Sequence, residues 1–139
     1  MAKVSGADKH IKRLRRMRGP AMVRGVTRAL HSVAQDIAVD ASVSITTGAV
    51  SGKGHVPSAP GEPPNADSHV LSNSIIGLST GPLKAETIAD APYAAAQELG
   101  SPSQNLEERP YLRPAAAKNR PGALAKVSAA ADKVIRANG

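Results

Sequence analysis

The densest chemistry in this chain is cationic. Lys12-Arg13-Leu14-Arg15-Arg16-Met17-Arg18 places five positive side chains within seven residues, a density that suits phosphate or an acidic protein surface. Residues 1–30 hold nine basic groups against Asp8 alone, whereas residues 31–139 hold nine basic and ten acidic groups. The formal net charge of +7 therefore belongs to the N-terminal stretch, and the body is close to neutral. No aromatic residue interleaves the arginines, so base stacking of the single-strand kind is unsupported. A nucleic-acid contact through Lys12, Arg13, Arg15, Arg16 and Arg18 would go to the backbone, salt-sensitive and indifferent to sequence. An acidic protein neighbour and a merely solvated arm fit the same residues.

Elsewhere the spacing speaks against catalysis. His10, His31, His55 and His69 are scattered, and there is no Cys, so no metal-ligand pattern emerges. Serines are plentiful but none sits in Gly-x-Ser-x-Gly. Glu107 and Glu108 are adjacent, which reads as a solvated charge patch, because an acid–base pair needs two different environments. The Gly48 to Gly54 stretch looks superficially like a phosphate loop. Only three residues separate Gly48 from Gly52-Lys53, Gly54 follows the lysine, and a helix rather than a strand precedes. No catalytic residue, cofactor or metal is expected.

The elements that would position these groups follow from apolar periodicity. After Gly19-Pro20, residues Met22, Val23, Val26, Leu30, Val33, Ile37, Ala41 and Ile45 recur at steps of three and four. That predicts one amphipathic helix over 20–46, about 40 Å long. Residues 48–68 contain four Gly and four Pro and no period, predicting an extended loop that is functional or ordered on assembly. Two strands are predicted over 70–80 and 83–89 with Gly81-Pro82 as the turn, then a short helix over 93–99 ending at Gly100. A final helix over 114–137 is expected to kink or restart at Pro121. The order implies an α+β fold with an antiparallel sheet, organised as a basic arm (1–19) followed by a single domain (20–139).

Composition points to a subunit. Of the apolar residues 25 are Ala, and Phe and Trp are absent, so a lone copy has a thin core that assembly would complete. The absence of Cys fits a reducing compartment. No apolar run approaches the roughly 20 residues needed to span a bilayer, so no membrane partner is expected. The charged start lacks the apolar segment of a secretory signal.

Four segments carry a resemblance. They are His55-Val56-Pro57-Ser58-Ala59-Pro60-Gly61-Glu62-Pro63-Pro64; Leu71-Ser72-Asn73-Ser74-Ile75; Tyr93-Ala94 with Glu98-Leu99-Gly100-Ser101; and Arg109-Pro110-Tyr111-Leu112-Arg113-Pro114-Ala115. In this order they resemble the small neck and tail-completion proteins of long-tailed bacteriophages, over about residues 20–137. That family usually has Asp-Thr-Gly-x-Leu where this chain has Asp67-Ser68-His69-Val70-Leu71. It usually has Phe at the positions of Leu99 and Tyr111, and an aromatic or aliphatic residue at that of Ala96. The resemblance implies a structural virion protein, not an enzyme. It would be a ring subunit at the head–tail junction, assembled in the bacterial host cytoplasm, between the head-closure ring and the tail terminator or tail tube. The implied ring is homo-oligomeric, sixfold by analogy with tail-side rings, and surrounds the DNA channel. The thin core, the loop ordered by a neighbour and the basic arm facing DNA or an acidic rim all find a role in it. The alternative is a small basic nucleic-acid-binding protein without sequence preference. Within the last motif, one of Arg109 and Arg113 is expected to pair with Glu98, tying the short helix to the start of the last one.

Overall fold

A computed structural model describes residues 5–138. The first four residues of the expected arm lie outside it. From Ala7 the arm is helical: α1 spans Ala7–Met17 and is followed by α2, Pro20–Thr46. The cationic run winds into α1 because its apolar members, Ile11, Leu14 and Met17, return at helical spacing. They form a shared apolar seam with Met22 and Ile135. A basic segment with such a stripe settles on the body rather than trailing from it.

α2 has the expected bounds, with Pro20 in its first turn. Its buried line is Val33, Ala34, Ala38, Ala41 and Ile45, whereas Val39 and Val43 point to solvent. The line consists mainly of alanines because other backbone comes very close there. The loop over 48–68 contains one 3-10 turn, Gly52–Gly54. It is held by its own chain: the Ala66 N–H donates to the Ile45 carbonyl at 2.9 Å, Asn65 Nδ2 to Val56 O at 2.8 Å, and the Gly52 N–H to Asp67 Oδ1 at 2.7 Å.

The first predicted strand is corrected at its start. Val70–Asn73 form a single helical turn, α3, and the strand β1 runs Ile75–Gly81. Leu71 and Ile75 are both buried. Their four-residue spacing puts both on one face of a helical turn, and of a strand as well, so spacing alone does not choose between them. Strand β2, Lys84–Ala89, pairs antiparallel with β1, setting Gly77 opposite Thr87 and Ile76 opposite Ile88. Leu83 belongs to the turn, not the strand, with φ 56°. Its N–H is held by Thr27 Oγ1 on α2 at 2.9 Å.

The two-stranded sheet lies along α2 and comes closest to it at Gly77. A Cβ added to Gly77 would sit 2.6 Å from Ala34 C and Gln35 N. From the opposite strand Thr87 Oγ1 donates to the Ala34 carbonyl at 2.8 Å. Only a glycine lets the backbones approach so closely.

The short helix α4 is Ala94–Leu99, and α5 is Leu112–Asn138. The helix does not restart at Pro121: α5 runs through it as one helix. Proline removes the amide that would bond to the carbonyl four residues earlier, here that of Ala117. Ala117 is exposed, so solvent can take the place of the lost partner. α5 lies against α2, with Lys126 pairing with Asp36, and Asp40 receiving Lys118 at 3.4 Å and Asn119 at 2.7 Å. Along α5, Val127 and Val134 are half-buried while Leu124 and Ile135 are exposed. The apolar face expected of this helix is thus only partly covered.

The core sits at one end of the long helices. Ala38, Ala41 and Ile45 meet Ala66, Leu71, Ile75, Ala91, Ala94, Tyr111 and Ala115 there. Tyr111 and Ile45 are the largest fully enclosed side chains. The architecture is α+β, as expected, and the core is as thin as the composition requires.

Candidate functional site

The resembling segments meet at this core end: Leu71, Ile75, Ala94, Tyr111 and Ala115 share the core, the Ser58 to Gly61 stretch bonds to Arg109 and Glu108, and Glu98 joins the last two segments. α5 begins with Leu112, Arg113 and Pro114, and a helix start leaves four amides without intrahelical partners. Three of them, on Tyr111, Leu112 and Arg113, donate to the Glu98 carboxylate at 2.7, 3.0 and 3.1 Å. The fourth position is Pro114, which has no N–H to satisfy. Glu98 therefore caps a helix on which it does not reside, and its charge also lies where the helix dipole is positive.

Arg113 completes the clasp. Its Nε donates to Glu98 Oε1 at 2.8 Å, and its Nη2 donates to the Glu98 carbonyl at 2.7 Å and to Glu108 Oε2 at 3.0 Å. Of the two arginines flanking the motif, it is Arg113 that pairs with Glu98. Arg109 instead donates Nε to the Ser58 carbonyl at 3.2 Å and its N–H to the Gln97 carbonyl at 2.6 Å. Glu108 is exposed, as read from the sequence, and pairs with Arg113 at the surface.

Burial works to raise the Glu98 pKa, but the amides of Tyr111 and Leu112 and the Arg113 groups outweigh it, leaving the carboxyl below the usual range. Tyr111 moves the other way. Enclosure, then the negative charge of Glu98 and the nearby Tyr93, push its phenol up to about 12. The hydroxyl stays protonated and donates to the Ala94 carbonyl at 3.0 Å.

The remaining motif residues support this clasp. The Gly61 N–H donates to the Glu108 carbonyl at 2.9 Å, joining the Pro57, Pro60 and Pro63 loop to the segment before α5. Gly100 has φ 76°, and a Cβ there would stand 3.0 Å from Glu108 N and Leu106 O. Leu71 and Ile75 enter the core, and Ser74 Oγ closes the α3 turn onto the Leu71 carbonyl at 2.7 Å. Pro110 is half-buried between the two arginines and Leu112 packs against the core. Tyr93 and Leu99 remain exposed.

His69 has a left-handed backbone, φ 61° and ψ 8°, at the start of α3. It occupies the position where the phage-family pattern has glycine, the residue for which that conformation carries no steric cost.

The cationic residues form a separate surface. Lys12, Arg13, Arg15, Arg16 and Arg18 are all exposed. At 100° per residue Lys9, Lys12, Arg13 and Arg16 share the face opposite Ile11 and Leu14. Arg15 and Arg18 instead border the apolar seam. Among the described residues none of these cations has a carboxylate partner.

Sequence reasoning missed Arg24, Arg28 and Lys133, which border a groove between α2 and α5. Small residues at Ala21, Gly25 and Ala29 were the available signal, but the register of α5 against them was not. Among the described residues no cluster of His, Asp or Glu suits a metal ion, and no helix is long and apolar enough to cross a membrane. Compared with protein-family models, curated proteins and solved structures, the chain matches none.

Proposed function

We propose that this chain is a structural subunit of the head–tail junction of a long-tailed phage. It would be one protomer of a homo-oligomeric ring, six subunits by analogy, that joins the head-closure ring to the tail terminator or tail tube around the DNA channel. The observation that carries the reading is His69. The glycine in the family pattern falls on the one residue of that motif whose φ is positive, so the pattern matches a backbone requirement as well as a run of letters. The joining of the last two segments through Glu98, with the loop segment tied to Glu108 and Arg109, supports it further, because it is a clasp that fixes shape. The thin core and the exposed Ile76, Leu78, Leu99 and Leu124 suit a protomer whose apolar surface is completed by neighbours.

A second reading, a basic nucleic-acid-binding protein, is favoured by the unpaired cationic face of α1. Light scattering of the purified chain, alone and with short duplex DNA, separates the two. A ring, or a monomer indifferent to DNA, is the outcome expected of a neck subunit. A monomer that coats DNA and releases it with a log–log salt slope of about −4 to −5, as five phosphate contacts demand, would replace this proposal with the second.

A further inference from the structure

The two ends of the molecule carry surfaces that complement each other. At the helical end, the first turns of α2 and the last turns of α5 enclose a groove of about 520 Å³ with a floor of small apolar residues such as Gly25, Ala29 and Val134. Its rim is Arg24, Arg28 and Lys133, all exposed and, among the described residues, without a carboxylate partner. At the loop end, Leu99 stands 66% exposed. The bond from the Gly61 N–H to the Glu108 carbonyl brings Glu62 and Glu107 to the same end. Both are exposed, and neither is in an ion pair among the described residues. α2 and α5 separate the groove from Leu99 by most of their length, so one copy cannot satisfy its own groove.

We propose that a second copy of this chain seats its loop end, carrying Leu99, Glu62 and Glu107, on the groove bordered by Arg24, Arg28 and Lys133. The contact rests on the ring-subunit reading and says how neighbouring protomers would meet. A floor of Gly and Ala leaves room for a protruding branched side chain, and the rim charges supply register and select the acidic end. Phosphate is the poorer occupant, since an apolar floor offers it nothing and α1 displays a denser cationic face. The two surfaces differ, so the contact is heterologous, and it closes into a ring when the rotation between copies allows.

Four full-length variants test it by light scattering and sedimentation at low and moderate salt, with circular dichroism to confirm folding. The wild type is expected to self-associate more strongly at low salt. Arg24→Glu with Arg28→Glu, or Glu62→Lys with Glu107→Lys, is expected to weaken association by about tenfold or more, as is Leu99→Ser. Mixing the two charge-reversed chains should restore association, because each native end meets a native partner and each reversed end a reversed one. Combining all four charge reversals in one chain should restore association. A wild type that stays monomeric, reversals that leave association intact, or a mixture that stays monomeric would each overturn the contact. Rings that persist after both reversals would remove this contact while leaving the ring-subunit reading in place. The DNA-coating outcome described above would remove that reading itself.

Discussion

Glu98→Ala offers the sharpest test of the clasp. The substitution removes the acceptor of three amides at the start of α5, at 2.7, 3.0 and 3.1 Å. A hydrogen bond to a charged partner contributes about 1.5–3 kcal/mol, and one whose orphaned donor can reach water contributes less. The Tyr111 amide bond is buried, while those of Leu112 and Arg113 are partly open. Counting about 1.5 kcal/mol for the first and somewhat under 1 for each of the others gives a loss of about 3 kcal/mol. This exceeds the roughly 1 kcal/mol typical of a single N-cap substitution, as one carboxylate serving three donors should. With about 4 °C per kcal/mol for a chain of this size, the melting temperature falls by about 12 °C. Urea denaturation supplies the free energy, and hydrogen exchange at the Leu112 and Arg113 amides locates it. A loss under about 1 kcal/mol, or unchanged protection of those amides, would refute the capping argument. Glu108→Ala, which touches only the exposed side of Arg113, is the control and should be nearly neutral.

Three further outcomes are expected. Gly77→Ala forces a methyl group to 2.6 Å from the backbone of Ala34 and Gln35, so the sheet must lift from α2 at a cost of about 1–3 kcal/mol, read by urea denaturation. His69→Gly relieves a left-handed backbone at φ 61° and should raise stability by up to about 1 kcal/mol after glycine's own entropy cost, read as a higher melting temperature. Because the Glu98 carboxyl is depressed in the fold, its stabilisation is present above the ordinary glutamate range and is lost as the pH falls through the lower folded value. Glu98→Gln should flatten the acid limb of a stability–pH profile, and a variant that keeps the wild-type acid slope would show that another carboxyl causes it.

The α+β order and the bounds of α2 were legible from a single chain, because a period of three and four and the Gly19-Pro20 start are local signals. So was the conjunction of Glu98 with the arginine-flanked motif, although spacing left Arg109 and Arg113 equivalent. Folding separated them: the first turn of α5 carries Arg113 back toward Glu98, while Arg109, still outside the helix, reaches Ser58. No restart follows Pro121 because the carbonyl it frees, on exposed Ala117, is open to solvent. The strand expected from Val70 begins at Ile75 because the four-residue spacing of Leu71 and Ile75 fits a helical turn as well as a strand.

Composition determined the thinness of the core and the concentration of charge in the first thirty residues, since neither depends on how the chain is folded. Periodicity determined which segments are helical, since helix and strand are set by neighbours a few residues apart. Only the tertiary structure decided that one carboxylate caps a helix fourteen residues away, that Gly77 is where sheet and helix approach most closely, and that the rim of the α2–α5 groove lies opposite an acidic end. These are relations between residues far apart in sequence, fixed by packing and by the register of α5 on α2, and no local pattern encodes them.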